Sequence, residues 1–203
     1  EINTGAAVDT VNVVANMTAN INTGSAADQV TVNSSATLTG DLTLQNKTAT
    51  DIDNDNVTLQ TAASITGTID LGEGDDFVQL DEQATVGDIT GDEGVDTLSF
   101  ELFSTSRGIM LDSADATGFT GTEASVTGNF TGIDFVRGSA TATDTISGIT
   151  AAATWTLNDS NDTTGRSNYQ ELVGNHSLAL FDVDTLTGST ANDTFIFAGG
   201  AAF

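Results

Sequence analysis

Proline and cysteine are absent from the 203 residues, and basic residues number four against 29 acidic ones, for a net charge of −25. Each absence excludes something. Without cysteine there are no disulfides and no thiol chemistry, a composition that fits an exported bacterial protein. Four scattered cations, Lys47, Arg107, Arg137 and Arg166, cannot neutralise a phosphate backbone or an anionic bilayer, so nucleic-acid and direct anionic-membrane binding are disfavoured. No apolar run approaches the roughly 18 residues of a membrane span. The chain starts at Glu1, without Met or a signal peptide, which suggests a mature or internal fragment of something longer. His176 is the only histidine, so zinc sites and Ser-His or Cys-His nucleophile pairs find no support.

What is present is a β and turn composition. Hydrophobic residues make up 38% of the chain, enough for a core, and 35 Thr and 21 Gly dominate the polar remainder. An all-helical fold is therefore disfavoured.

The chain also repeats itself, and a fixed period of 20 to 50 residues is the signature of stacked architectures. Residues 2–13, INTGAAVDTVNV, recur 19 residues later as 21–32, INTGSAADQVTV. Weaker copies occupy 69–80, 89–100 and 186–197. A unit ends in an Asp followed by alternating apolar residues: Asp9, Asp28, Asp55, Asp76, Asp96, Asp144 and Asp193. The alternation (Val11/Val13, Val30/Val32, Val57/Leu59, Val78/Leu80, Leu98/Phe100, Phe195/Phe197) predicts strands with one apolar face. A second strand begins at Ala15, Ala36, Ala63, Ala84 and Ala124. Two strands in about 20 residues cannot bury their faces alone, so the units must stack.

The expected fold is all-β, a parallel β-helix (β-solenoid) with coils of about 20 residues forming one domain over 1–203. Segments 101–123 and 150–175 break the repeat and are expected to be irregular coils or loops. A solenoid explains the missing proline, because nearly all its strands are central and need every N–H. The competing arrangement is a two-sheet sandwich, whose strands also alternate at regular spacing.

The turns before the Asp residues carry the polar chemistry. Gly72-Glu73-Gly74-Asp75-Asp76 and Gly91-Asp92-Glu93-Gly94-Val95-Asp96 pair flexible turns with hard carboxylate oxygens, the ligand type Ca²⁺ prefers. Candidate calcium ligands are Asp75, Asp76, Asp92, Asp96, Asp193 and Asp28. The alternative is that each Asp caps a turn by accepting backbone N–H bonds. An uncompensated ladder of carboxylates one strand apart would repel by about 3–4 kcal/mol per pair at an effective dielectric of 20, so bound cations would favour stacking. Adjacent acidic pairs such as Asp75/Asp76 or Asp92/Glu93 could serve glycoside hydrolysis, though so acidic a chain is expected to contain such pairs anyway, and Trp155 with Tyr169 could stack on sugar, though lone aromatics are more often core or loop anchors. No catalytic residues or organic cofactor are assigned. Nine N-x-S/T sequons (Asn16, Asn33, Asn46, Asn56, Asn129, Asn158, Asn161, Asn175, Asn192) mark Thr-rich strands beside Asn-rich turns.

The stretches GTIDLGEGDDFVQLDEQATVGDITGDEGVDTLSF, FTGIDFVRGSATATDTISGI and VDTLTGSTANDTFIF resemble repeat modules of giant bacterial surface and secreted proteins, namely RTX-like adhesins and β-helical autotransporter passengers. The resemblance implies a non-enzymatic, extracellular or cell-surface structural or adhesive module of a fibre, filament or biofilm. It implies calcium as the cofactor and, as partners, other copies of the chain end to end or side by side, or surface polysaccharide. The alternatives are a polysaccharide-binding module, or a β-helical polysaccharide-degrading enzyme.

Overall fold

Alternation of apolar and polar residues with little helix-forming character makes short strands, and a computed structural model describes the chain over residues 1–45, 52–157, 167–172 and 174–197. The first strands are β1 (Ile2–Asn3), β2 (Thr10–Val13), β3 (Met17–Thr18), β4 (Ile21–Asn22), β5 (Gln29–Val32), β6 (Thr37–Thr39), β7 (Leu42–Thr43) and β8 (Asn56–Leu59). Next come β9 (Ser64–Asp70), β10 (Phe77–Leu80), β11 (Thr85–Thr90), β12 (Thr97–Ser99), β13 (Gly108–Asp115), β14 (Gly118–Glu123) and β15 (Val126–Ile133). The chain continues through β16 (Phe135–Arg137), β17 (Thr145–Ser147), β18 (Ala153–Leu157), β19 (Ser167–Glu171), β20 (Ser177–Phe181), β21 (Thr185–Thr187) and β22 (Thr194–Phe197).

The protein is all-β, with two sheets of mostly parallel strands. One sheet runs β1-β4-β7-β9-β11-β15-β14-β13-β17-β21, with β3 and β6 beside it; the other runs β2-β5-β8-β10-β12-β16-β20-β19-β18-β22. Strands of equal rank follow one another in the chain at eight of the ten ranks, so each such pair forms one level. Successive levels pair in register, as in Ile2 on Ile21, Val11 on Val30, and Val78 on Val57 and Leu98. This parallel pairing is not that of an antiparallel sandwich.

Inward side chains form one apolar core. Ile21, Leu42, Ile69, Ile89 and Phe130 line the first sheet; Val30, Val57, Val78, Leu98 and Val136 line the second, and all are buried. In the early levels the first-sheet strand is broken in two, β3/β4 and β6/β7, and becomes continuous in β9, which pairs with both β6 and β7.

Segments 101–123 and 150–175, expected to be irregular, contain ordered strands. Strand β14 runs antiparallel between β13 and β15, and β19 runs antiparallel between β18 and β20. These reversals occupy the seventh and eighth ranks. Their large side chains pack the core: Phe119 lies 5.7 Å from Tyr169, Tyr169 lies 4.3 Å from Trp155, and Trp155 stacks on Phe195 at 6.0 Å. Arg107 is drawn inside as well. It pairs with Glu123, donates to Ser125 Oγ at 3.0 Å, and sits 4.2 Å above the Phe103 ring.

Candidate functional site

An Asp that precedes a strand has its carboxylate beside the backbone of the level below. In the second sheet this builds a continuous column. Asp9 N–H donates to Asp28 Oδ1 (2.7 Å), Asp28 N–H to Asp55 Oδ1 (2.6 Å), and Asp55 N–H to Asp76 Oδ1 (2.7 Å). Asp76 N–H then donates to Asp96 Oδ1 (3.0 Å) and Asp96 N–H to Asp134 Oδ2 (3.2 Å). Asp28, Asp55, Asp76 and Asp96 are each at most 3% exposed. In this column the capping role is met across levels, each Asp capping the neighbouring level, while Asp144 and Asp193 outside it also cap their own turns.

The column holds more carboxylate than it has donors. The Oδ2 atoms of Asp9, Asp28, Asp55, Asp76 and Asp96 are buried with no hydrogen-bond partner among the described residues. A buried carboxylate without a partner favours its neutral form. Burial first, and then neighbouring carboxylates, push Asp55 up to about 7, Asp76 to about 6 and Asp96 to about 8, against the opposing effect of each N–H bond. Asp134 rises to about 6, again mainly through burial.

The glycines of these turns have a steric reason to be there. Gly74 and Gly94 have φ of 147° and 140°, a region L side chains rarely enter. A Cβ on Gly74 would lie 1.7 Å from the Asp53 carbonyl oxygen, and one on Gly94 would lie 1.7 Å from that of Gly74. The turns stack too closely for any side chain at these two positions.

The candidate calcium ligands are distributed along this stack. Asp28, Asp76 and Asp96 belong to the buried column, whereas Asp75 is exposed and accepts the Val95 N–H at 2.9 Å. Asp92 has a left-handed backbone, φ 67°. Asp193 accepts the Ala153 N–H at 3.0 Å and, from its own turn, the Ser189 N–H at 2.6 Å. Among the described residues no three His, Cys, Asp or Glu side chains are grouped to hold a metal ion.

Asp144 belongs elsewhere than its sequence spacing suggests. It precedes β17 in the first sheet, where Arg107 N–H donates to its Oδ1 and its own N–H donates to Asp184 Oδ2 at 2.7 Å. Its place in the main column is taken by Asp134, whose Asp-Phe-Val-Arg context carries the same strand signal after a shorter turn. Trp155 and Tyr169 are core anchors and not a sugar-stacking patch: both are fully buried, and the Tyr169 hydroxyl accepts the Ile149 N–H at 3.0 Å. Among the described residues the second-sheet column that alternates with the core is not a uniform Thr row: it runs Asn12, Thr31, Thr58, Gln79, Ser99, Arg137, Phe181, with Gln79 and Ser99 buried.

A second acidic group was not legible in the sequence. A cavity of about 340 Å³ is lined in part by Asp112, Thr150, Glu171 and His176. His176 Nδ1 lies 3.3 Å from Glu171 Oε2, and both Glu171 oxygens accept the Gly174 N–H, at 2.7 and 2.9 Å. Glu171 thereby holds the tight turn between β19 and β20.

Comparison with known proteins matched no family model, no curated protein and no solved structure.

Proposed function

We propose that this chain is a β-solenoid module of a non-enzymatic extracellular fibre, filament or adhesin. The observation that carries the reading is the level-by-level pairing of both sheets at one strand per sheet, with the Asp column running through six consecutive levels. Such a stack is a spacer by construction. Each added coil lengthens it by one strand spacing, about 4.8 Å, and ten levels span about 45 Å. The acidic surface and the lack of cysteine suit a protein that stays soluble and single-stated outside the cell. The likeness to surface-protein repeats points the same way.

Calcium enters this reading as counter-charge for the turns. The Asp53 and Asp75 carboxylates add to the upward push on Asp76, and Asp75 to that on Asp96 and Asp134, with His176 opposing it at Asp134. A divalent cation at the exposed Asp75 rim would offset the repulsion that opposes stacking.

Two measurements test the proposal. Spin labels at Asn12 and, in turn, at Thr58, Arg137 and Phe181 should give backbone separations of about 10, 24 and 29 Å, rising by one strand spacing per level. Distances that do not rise in this order reject the solenoid. Antibody against the module should decorate intact source cells; labelling only after permeabilisation rejects the surface role. The cavity at Glu171 and His176 favours polysaccharide binding or cleavage as the second reading, tested by release of reducing ends from a panel of polysaccharides.

A further inference from the structure

We infer that copies of this chain join head to tail through their sheet edges, β21 and β22 of one copy pairing in parallel with β1 and β2 of the next. The inference rests on the fibre reading and names its junction. Among the described residues the strand order of the two sheets ends at β1 and β2 on one side and at β21 and β22 on the other, each pairing with one neighbour, in parallel. Ile2 and Phe195 are each 40% exposed, while their register partners one level in, Ile21 and Trp155, are buried.

Three features make the two edges complementary. First, Leu186 continues the column of Ile109 and Ile146, and Phe195 continues that of Trp155, so the next level needs apolar residues at both places. Ile2 and Val11 provide them. Second, Leu186 to Phe195 and Ile2 to Val11 are both nine residues apart, the interval also found from Ile21 to Val30 and from Ile69 to Val78. One translation therefore brings both strand pairs into register at once, as it does within the stack.

Third, the Asp bonds have a direction. For the Asp that immediately precedes a strand, the N–H of one level donates to the carboxylate of the level nearer the β22 edge, whereas Asp41, Asp75 and Asp88, away from those positions, accept in the opposite sense. At that edge the Asp193 N–H donates to no described residue; at the opposite edge the Asp9 carboxylate accepts from none. One edge lacks an acceptor and the other lacks a donor. Stacking one copy on the next places Asp9 above Asp193 and completes the bond. Two like edges apposed would offer neither the parallel direction nor this match.

The absence of cysteine makes the register directly testable. Asn12 and Ile196 both point outward and would become neighbours across the junction, about 4.8 Å apart at the backbone, within reach of a disulfide. Within one copy they sit nine levels apart and cannot bond to each other. The double variant Asn12→Cys with Ile196→Cys is oxidised with copper phenanthroline, the thiols' electrons passing to dissolved oxygen, at about pH 8, where the thiolate is available, and about 1 M NaCl, which screens the mutual repulsion of the acidic copies. The control, Asn12→Cys with Thr194→Cys, is two residues out of register. The expected result is a ladder of disulfide-linked multimers for the first variant, at least tenfold above the control, whose particles lengthen by about 48 Å per copy in small-angle scattering. Equal ladders in the two variants, or monomers in both, overturn the junction. Monomers that keep the spin-label distances would remove the junction alone, whereas lost distances would remove the solenoid reading itself.

Discussion

The backbone N–H of Asp76 donates to Asp96 Oδ1 at 3.0 Å, and the N–H of Asp55 donates in turn to Asp76 Oδ1 at 2.7 Å. Asp76 is therefore both a rung and a cap, and the two duties can be separated. Asp76→Asn keeps the accepting oxygen and removes a buried charge, so it should leave the melting temperature at pH 8 unchanged or raised. Asp76→Ala leaves the Asp55 N–H buried and unpaired, at a cost of about 1–3 kcal/mol, or roughly 2–12 °C. Thermal melts of the two variants distinguish acceptor from charge.

Acid should stabilise this protein over the range where many proteins lose stability. Asp55, Asp76, Asp96 and Asp134 hold their protons more tightly when folded, at about 7, 6, 8 and 6 against an ordinary 3.8. A raised folded value means that the folded state binds more protons between about pH 4 and 8, so stability falls as pH rises through that window. The melting temperature should be highest near pH 4–5 and several degrees lower at pH 8. A melting temperature that rises from pH 5 to 8 would contradict the protonated column.

Gly94→Ala places a methyl group 1.7 Å from the Gly74 carbonyl oxygen and holds an L residue at φ 140°. The turn must move, and the bonds of Asp76 and Asp96 move with it. A loss of about 3 kcal/mol or more is expected in urea unfolding, against less than about 1 kcal/mol for Gly108→Ala, where the nearest atom is 3.7 Å away.

Calcium should act on the ionised stack and not on the protonated one. Millimolar Ca²⁺ is expected to raise the melting temperature at pH 8 and to leave it unchanged at pH 5. No rise at pH 8 would remove calcium from the proposal.

Arg107→Met leaves the Glu123 carboxylate, whose side chain is fully buried, without its cation. About 3–5 kcal/mol of destabilisation is expected, largely recovered when Glu123→Gln is added. A double-mutant cycle measures the coupling.

The repeat was readable because each level asks the same thing of its residues: an apolar pair facing inward, a tight turn, and an Asp before the strand. Residues 2–13 and 21–32 state this almost without variation, and their register pairs Ile2 with Ile21 and Val11 with Val30. The Asp residues were visible as a series, but their bonding was not, because a carboxylate that caps the next level has the same spacing as one that caps its own turn. Asp134 fills the place expected of Asp144 because β13 to β15 reverse direction, and spacing along the chain carries no sign of which sheet a strand will enter. Trp155 and Tyr169 were readable as anchors from their size, but not as partners, because their pairing depends on the antiparallel β18 and β19. Glu171 and His176 lie five residues apart, and only the turn at Gly174 brings them together.

The reversals at the seventh and eighth ranks also divide the way the chain can be assembled. Through β12, each level rests on strands already made, so residues 1–100 can add coil upon coil in order of synthesis or export. Beyond it the chain first sets β13 at the eighth rank and returns through β14 to β15, while β20, which covers β16, is the last strand to reach its place before β21. Nothing in this half is complete until nearly all of it has emerged. The molecule thus joins an incremental half to an all-or-none half, and a chain stalled or cut near residue 170 would keep the first and lose the second.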